Sequence, residues 1–111
     1  MEIARSIIDV LEDRKGEDIL LLDIHEVAVI AEYFVICSGT SERMLKALAD
    51  AVVEKVHKEY QLRVRMEGAA RDGWQLVDLG DIVVHLMSPD RRNYYRLEEL
   101  WSNGKTLIRL Q

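Results

Sequence analysis

The strongest structural signal in the chain lies in residues 74–87, which read WQLVDLGDIVVHLM. Branched and apolar side chains flank the dipeptide Gly80-Asp81 and predict two strands, 74–79 and 82–87. The two residues between them predict a hairpin turn with glycine at its first position. Because a turn of fixed length sets the pairing register, the sequence also predicts which residues lie opposite each other.

Strand alternation divides this hairpin into two faces. The predicted register pairs Leu79 with Ile82, Val77 with Val84 and Gln75 with Leu86 on one face, and Asp78 with Val83, Leu76 with His85 and Trp74 with Met87 on the other. The first face is nearly all aliphatic and is predicted to lie on the core. The second has the composition of an interface core with a polar margin. A second helix packed there, with His85 and Asp78 satisfied within the fold, would explain the same composition, so both interpretations stay open.

Segments on either side of this hairpin predict an α/β fold. Helical spacing of apolar residues predicts helices over 3–14 and 42–60, the second after the hydroxyl-rich residues 38–41, which can cap its start. Residues 19–24 and 33–37 predict strands, the second buried on both faces. The remaining predicted elements are a brief strand at 64–66, a polar loop at 67–73, a helix opened by Pro89 and ended by Asn103-Gly104, and an edge strand at 105–110. A strand–helix–strand crossover among these elements indicates a single domain with a mixed β-sheet and flanking helices.

Length and composition limit the class of protein. The chain has 111 residues, of which 49% are hydrophobic and 32% charged, so it can bury one core and is not disordered. No apolar run approaches the roughly 20 residues of a membrane-spanning helix, and the acidic first turns are unlike a secretory signal or a transit peptide. The single cysteine, Cys37, excludes an internal disulfide and a cysteine-based zinc site. We therefore expect a cytoplasmic protein with no membrane partner.

Charge is distributed unevenly along the chain. Residues 1–56 carry 6 basic and 12 acidic side chains, whereas residues 57–111 carry 9 and 8, which together give the net charge of −5. Nucleic-acid binding needs a concentrated basic surface. Candidates for a local basic patch are Arg63, Arg65, Arg71, Arg91, Arg92 and Arg96. The overall balance favours a basic protein partner, with direct nucleic-acid contact at most minor.

Carboxylates near the hairpin turn suggest a different class of function. Asp78 and Asp81, with Glu67 nearby, are candidate ligands of a divalent cation, and residues 39–41 before a helix are a candidate phosphate site. Together they would suit a small magnesium-dependent nucleotidyl or phosphoryl transferase. A solvated turn and a capped helix start explain the same residues, and the glycine-rich pattern of a phosphate loop is absent. We therefore expect no metal and no cofactor.

Four motifs taken together resemble the ribosomal silencing factor family, also called Iojap-like proteins. In chain order they are YFVICSGTS from Tyr33, EG from Glu67, GWQLVDLGDIVVH from Gly73, and Arg92 followed by YYRLEELW. The resemblance covers roughly residues 3–102, with Glu32 where the family usually has Asp. We therefore predict a domain over residues 1–102 and a C-terminal tail over 103–111.

The resemblance implies a nucleotidyltransferase-like fold without established catalysis. It also implies binding to the large ribosomal subunit through ribosomal protein L-fourteen, which would block joining of the small subunit and repress translation under nutrient limitation. Family members tend to form homodimers, and their contact surface matches Trp74 and Leu79. Combined with the hairpin face, this predicts the partner-binding residues Trp74, Asp78, Leu79, Asp81, His85 and Met87. A homodimeric scaffold unrelated to ribosomes remains a third interpretation.

Overall fold

The computed structural model of the protein describes residues 1–25, 31–100 and 104–110. The helices are α1 (Glu2–Asp13), α2 (Glu42–Tyr60), α3 (Pro89–Tyr95) and α4 (Leu97–Leu100), with a 3-10 turn at Ala70–Asp72. The strands are β1 (Glu17–Asp23), β2 (Tyr33–Ser38), β3 (Arg65–Ala69), β4 (Trp74–Asp78), β5 (Ile82–Met87) and β6 (Lys105–Leu110). In the described ranges, no helix is both long and apolar enough to cross a membrane.

The six strands form one mixed sheet in the order β3-β4-β5-β2-β1-β6. β2 and β5 run parallel, and the other neighbouring pairs are antiparallel. The chain passes from β2 through α2 before it returns to the sheet, so the predicted α/β fold with a mixed sheet is confirmed. The segment predicted as a C-terminal tail contributes the edge strand β6, which pairs with β1.

The predicted hairpin is confirmed residue by residue. Trp74 lies opposite Met87, and Asp78 lies opposite Val83. Beyond the last of these pairs, the Leu79 N–H donates to the Ile82 carbonyl at 2.9 Å. Gly80 has a φ of +94°, a conformation in which glycine meets no Cβ penalty, which is why glycine suits the first turn position.

Two predicted elements end three or more residues away from their observed ends, whereas the other boundaries differ by at most two residues. The strand predicted at 64–66 continues to Ala69 as β3, because its backbone pairs with β4 through a segment whose side chains are mostly exposed. The single helix predicted from Pro89 to residue 103 is wrong, since Arg96 adopts a left-handed conformation with a φ of +50° and divides it into α3 and α4. Leu97, directly after this break, is buried. Residues 101–103 of the predicted helix lie outside the described residues.

The sheet separates two apolar clusters. The helix-side core lies between the sheet and helices α1 and α2, and its largest fully buried side chains are Ile7, Leu11, Ile19, Leu21, Val35, Leu45, Leu48 and Leu86. The far-side core lies on the opposite face and consists of Leu20, Leu22, Ile24, Ala31, Phe34, Ile36, Met87 and Leu97. Strand β2 alternates between the two clusters, which confirms the prediction that it is buried on both faces. The aliphatic face of the hairpin lies on the helix-side core, as predicted.

A buried arginine fixes α3 to the sheet. Arg92 is 5% exposed, and its Nη1 donates to the Asp18 carbonyl at 2.6 Å and to Ser38 Oγ at 2.9 Å. Its Nη2 lies 3.6 Å from the Asp18 carboxylate. Asp18 belongs to β1 and Ser38 ends β2, so one side chain connects α3 to two strands and holds this helix beside the start of β4.

Candidate functional site

Five rings form a row that runs from the far-side core to the surface. In order they are Phe34, His85, Trp74, Tyr95 and Tyr94, with successive ring centroids 4.8, 5.9, 4.6 and 5.0 Å apart. Exposure rises along this aromatic row, from a buried Phe34 to 38% for Tyr95 and 77% for Tyr94. Exposed tyrosines beside a half-buried tryptophan are typical of protein-binding surfaces, because such rings combine a large apolar area with a polar tip.

Trp74 is the central ring of the row and stands half-buried at the start of β4. Its ring packs against the far-side core, and its Nε1–H donates to His85 Nδ1 at 3.2 Å. The strand register explains this contact, because Leu76 lies directly opposite His85 and Trp74 is therefore its diagonal neighbour. Beside Trp74 is a mainly apolar groove of about 320 Å³, lined by Gly68, Ala69, Asp72, Trp74, Leu76, Arg91 and Tyr95.

His85 is 5% exposed, and burial lowers the pKa of its imidazole to about 4. The ring is therefore neutral at physiological pH. Because an indole nitrogen can only donate, Nδ1 of His85 must be the acceptor, and the ring proton resides on Nε2. His85 contacts Phe34 edge-on and lies beneath Trp74, so it connects the far-side core to the exposed part of the row.

The depressed pKa of His85 predicts a pH dependence of stability. In the unfolded chain the imidazole of His85 is protonated near pH 6.5, whereas in the folded chain its pKa is about 4. Stability from this residue is therefore fully present above pH 6.5 and is lost as the pH falls towards 4, by about 3 kcal/mol in total. Urea unfolding at several pH values should show this loss in the wild type and a shallower dependence in His85→Leu. Parallel curves for the two proteins would contradict the assignment.

Met87 does not reach the surface. It is 0% exposed and lies in the far-side core directly opposite Trp74, so a partner that binds this conformation cannot touch it. His85 is similarly covered by Trp74 and Phe34. The structure thus places both predicted contact residues beneath Trp74, where they support the indole. The reason is that the face predicted for a partner is partly occupied by the chain itself, since Tyr95 of α3 contacts Trp74 and Leu97 of α4 belongs to the same buried cluster as Met87.

The other predicted contact residues surround the hairpin turn. Asp81 is exposed, while Leu79 is half-buried and packs on the edge of the helix-side core. The Asp78 carboxylate accepts from the Gly80 N–H at 2.7 Å and so helps to shape the turn. Leu79 follows Trp74 by five residues along an extended strand, which corresponds to roughly 16 Å. The structure therefore separates a Trp74 end of β4 from a turn end, and the two are not one compact patch.

The residues considered for phosphoryl transfer have structural partners. Ser41 Oγ accepts from the Met44 N–H at 3.0 Å and caps α2, and the Gly39 N–H donates to the Met87 carbonyl. Among the described residues, no group of three or more His, Cys, Asp or Glu side chains is arranged to hold a metal ion. Burial raises the pKa of the Cys37 thiol to about 12, so it remains a neutral, apolar part of the core.

The contact between Tyr95 and Trp74 could not be predicted from the sequence. Tyr95 ends α3, and its ring contacts Trp74 where Arg92 and the hydrogen bond from the Ser88 N–H to the Gly73 carbonyl hold that helix beside β4. A polar, aromatic-rich helix start is visible in the sequence, but its spacing does not show which strand it meets. The aromatic row thus extends the candidate surface from the hairpin onto α3.

Comparison with known proteins identifies the family of this chain. The model of the family described as "Ribosomal silencing factor during starvation" matches residues 1–111. Ribosomal silencing factor RsfS of Bacillus subtilis is 40% identical over 93 residues, which cover 84% of this chain and 79% of that protein. A mouse protein named "Mitochondrial assembly of ribosomal large subunit protein 1" is 37% identical over 86% of this chain and 43% of its own length.

A solved structure supports the same relationship. The crystal structure of a protein from Chromobacterium violaceum superposes with a TM-score of 0.85 at 39% identity and covers 99% of this chain and 91% of that chain. The fold is thus shared over nearly the whole chain, and the resemblance noted from the motifs is confirmed. The chain belongs to the family of ribosomal silencing factors, RsfS.

Proposed function

We propose that this protein binds the large ribosomal subunit through ribosomal protein L-fourteen and blocks joining of the small subunit by occupying its docking surface. The family match over residues 1–111 is the observation that carries the proposal. The name of the mouse relative, which refers to the large ribosomal subunit, favours that subunit over the small one. Translation would fall under nutrient limitation because fewer subunits join. This action is non-enzymatic, since it requires only an occupied surface.

The proposed contact surface has Trp74 as its anchor. Leu79, Asp78 and Asp81 lie towards the turn end of β4, and His85 and Met87 support the indole from beneath. An ordinary interface buries about 800 Å² per partner, a patch roughly 30 Å across. Two contact regions roughly 16 Å apart along one strand are within the span of a single interface, which must reach around the hairpin turn because Leu79 lies on the helix-side face and Trp74 on the far-side face.

The partner is tested by sedimentation of the purified protein with separated ribosomal subunits. We expect co-migration with the large subunit alone, and fewer joined ribosomes when the small subunit is added afterwards. Crosslinking within the bound complex should capture L-fourteen. Protein that stays at the top of the gradient with both subunits would disprove the partner. Binding to the large subunit without any loss of joined ribosomes would disprove the steric block.

Charge at the turn end predicts an effect on association rate. Asp78→Asn and Asp81→Asn together should slow binding several-fold at low salt and weaken its salt dependence, with little change in the dissociation rate, because exposed charges mainly steer encounter with a basic partner. Asparagine at position 78 retains an oxygen that can accept from the Gly80 N–H, so the turn should persist. Stopped-flow binding at two salt concentrations measures the effect.

The matched control is Asp50→Asn, which removes an exposed carboxylate from α2 on the opposite side of the sheet. It should leave the association rate unchanged. Because the control removes one charge and the double variant removes two, a control effect on the logarithm of the association rate about half as large would mean that only net charge matters and that the turn does not face the partner.

The proposal also places the protein in the cytoplasm and includes self-association as a homodimer. A dimer that uses the aromatic row or its neighbour would compete with the ribosome for the same surface. Sedimentation of the free protein over a range of concentrations, repeated with large subunits present, would reveal such competition as dimer lost on binding.

A further inference from the structure

His85 is an unexpected residue at its position in the far-side face of the sheet. Its neighbours include Phe34 and Trp74, and the nearest buried side chains are apolar. Its Nε2 is buried, and no acceptor among the described residues lies within hydrogen-bond distance. A buried donor without a partner costs about 1–3 kcal/mol, so a leucine of similar volume would suit the core better.

The imidazole supplies one thing that an aliphatic side chain lacks, namely an acceptor beneath Trp74. The Trp74 Nε1–H is the only polar group of the indole, and it points inward to His85 Nδ1 at 3.2 Å. With this end fixed, the ring cannot turn its N–H towards solvent. The rest of the indole and the Tyr95 ring, which is tilted against it by 50°, then form the exposed apolar surface.

We propose that His85 is a positioning residue, whose Nδ1 accepts the Trp74 Nε1–H and holds the indole in the orientation that meets the partner. What Trp74 binds rests on the proposed function, whereas the orientation of the indole does not. His85 touches no partner in this arrangement and acts through Trp74. Burial of His85 lowers the stability of the fold, and in return the indole of Trp74 is held in one orientation. Such local departures from the best core packing are expected at functional surfaces.

Two substitutions separate this role from simple core filling. His85→Leu removes the acceptor and keeps an apolar side chain of similar size, whereas His85→Asn retains an oxygen near the position of Nδ1. We expect His85→Leu to weaken binding to the large subunit roughly 5- to 10-fold, while its thermal midpoint stays equal or rises. His85→Asn should retain most of the affinity even if it is the less stable variant.

The orientation is measured without any partner by NMR of the indole N–H. The chain has two tryptophans, so the experiment uses Trp101→Phe as a background in which Trp74 alone reports. Exchange of the Trp74 indole proton with solvent should be slow in this background and in His85→Asn, and clearly faster in His85→Leu.

Each outcome decides the proposal. Unchanged indole exchange in His85→Leu would overturn it, as would a loss of stability with binding per folded molecule intact, which would mark His85 as core filling. If the wild-type protein binds no ribosomal subunit, the proposed function fails, yet the exchange experiment still tests the positioning. Faster exchange together with weaker binding, both restored by His85→Asn, would establish it.

Discussion

Trp74→Ala is expected to weaken binding to the large ribosomal subunit by roughly 30-fold or more while the chain stays folded. A well-packed tryptophan anchor contributes about 2–4 kcal/mol to an interface, which corresponds to that change in affinity. The indole is half-buried and only borders the far-side core, so its removal leaves the fully buried residues of that cluster in contact with one another. Sedimentation with large subunits, quantified over a range of protein concentrations, measures the effect.

Two controls make this result specific. Lys58→Ala removes an exposed side chain from α2, on the other face of the sheet, and should bind like the wild type. Trp74→Phe retains a ring but loses the N–H that reaches His85, and should fall between the wild type and the alanine variant. A folded Trp74→Ala protein with wild-type affinity would remove Trp74 from the interface.

Arg92→Ala is expected to destabilise the fold by about 3 kcal/mol and to lower the thermal midpoint by roughly 10–15 °C. The buried guanidinium donates to the Asp18 carbonyl and to Ser38 Oγ, and truncation leaves both acceptors without these donors and a void between α3 and the sheet. Because α3 also carries Tyr95, the aromatic row should loosen with it. Urea and thermal unfolding measure the loss of stability.

The neighbouring arginine provides a matched control. Arg91 is exposed, and Arg91→Ala should change stability by no more than about 0.5 kcal/mol. Equal unfolding curves for the two variants would mean that the hydrogen bonds of Arg92 contribute nothing net. A large loss in Arg92→Ala alone would show that one side chain joins β1, β2 and α3.

The hairpin at residues 74–87 could be predicted in full because its signals are local. A two-residue turn with glycine first leaves few backbone solutions, and the turn length then sets every pair from Leu79 and Ile82 to Trp74 and Met87. The aliphatic face was likewise predictable, because alternation along a strand requires no knowledge of distant residues. Helix α2 could be predicted in the same way from the helical spacing of its apolar residues, and its cap from the hydroxyl of Ser41 just before it.

The second face of the hairpin shows where local signals end. Its mixture of Trp, Met, His and Asp fits an interface and a covered sheet equally well. In the structure it is both: His85 is buried under Phe34 and Trp74, and Met87 is buried in a cluster that includes Leu97, whereas Trp74 and Leu76 remain half-exposed. Which of these occurs depends on where a later helix packs, and the strand itself carries no information about that.

Sequence alone therefore establishes the elements, the hairpin register and the family resemblance of this protein, because turn length, alternation and motif order are properties of neighbouring residues. The three-dimensional fold decides which of the site residues are exposed to a partner and which are buried beneath them. The bond from Arg92 to Asp18 spans 74 residues of sequence, and the break at Arg96 that precedes the buried Leu97 is visible only in the folded chain. Such contacts form because packing brings distant side chains together, and that packing leaves Trp74 at the surface with His85 beneath it.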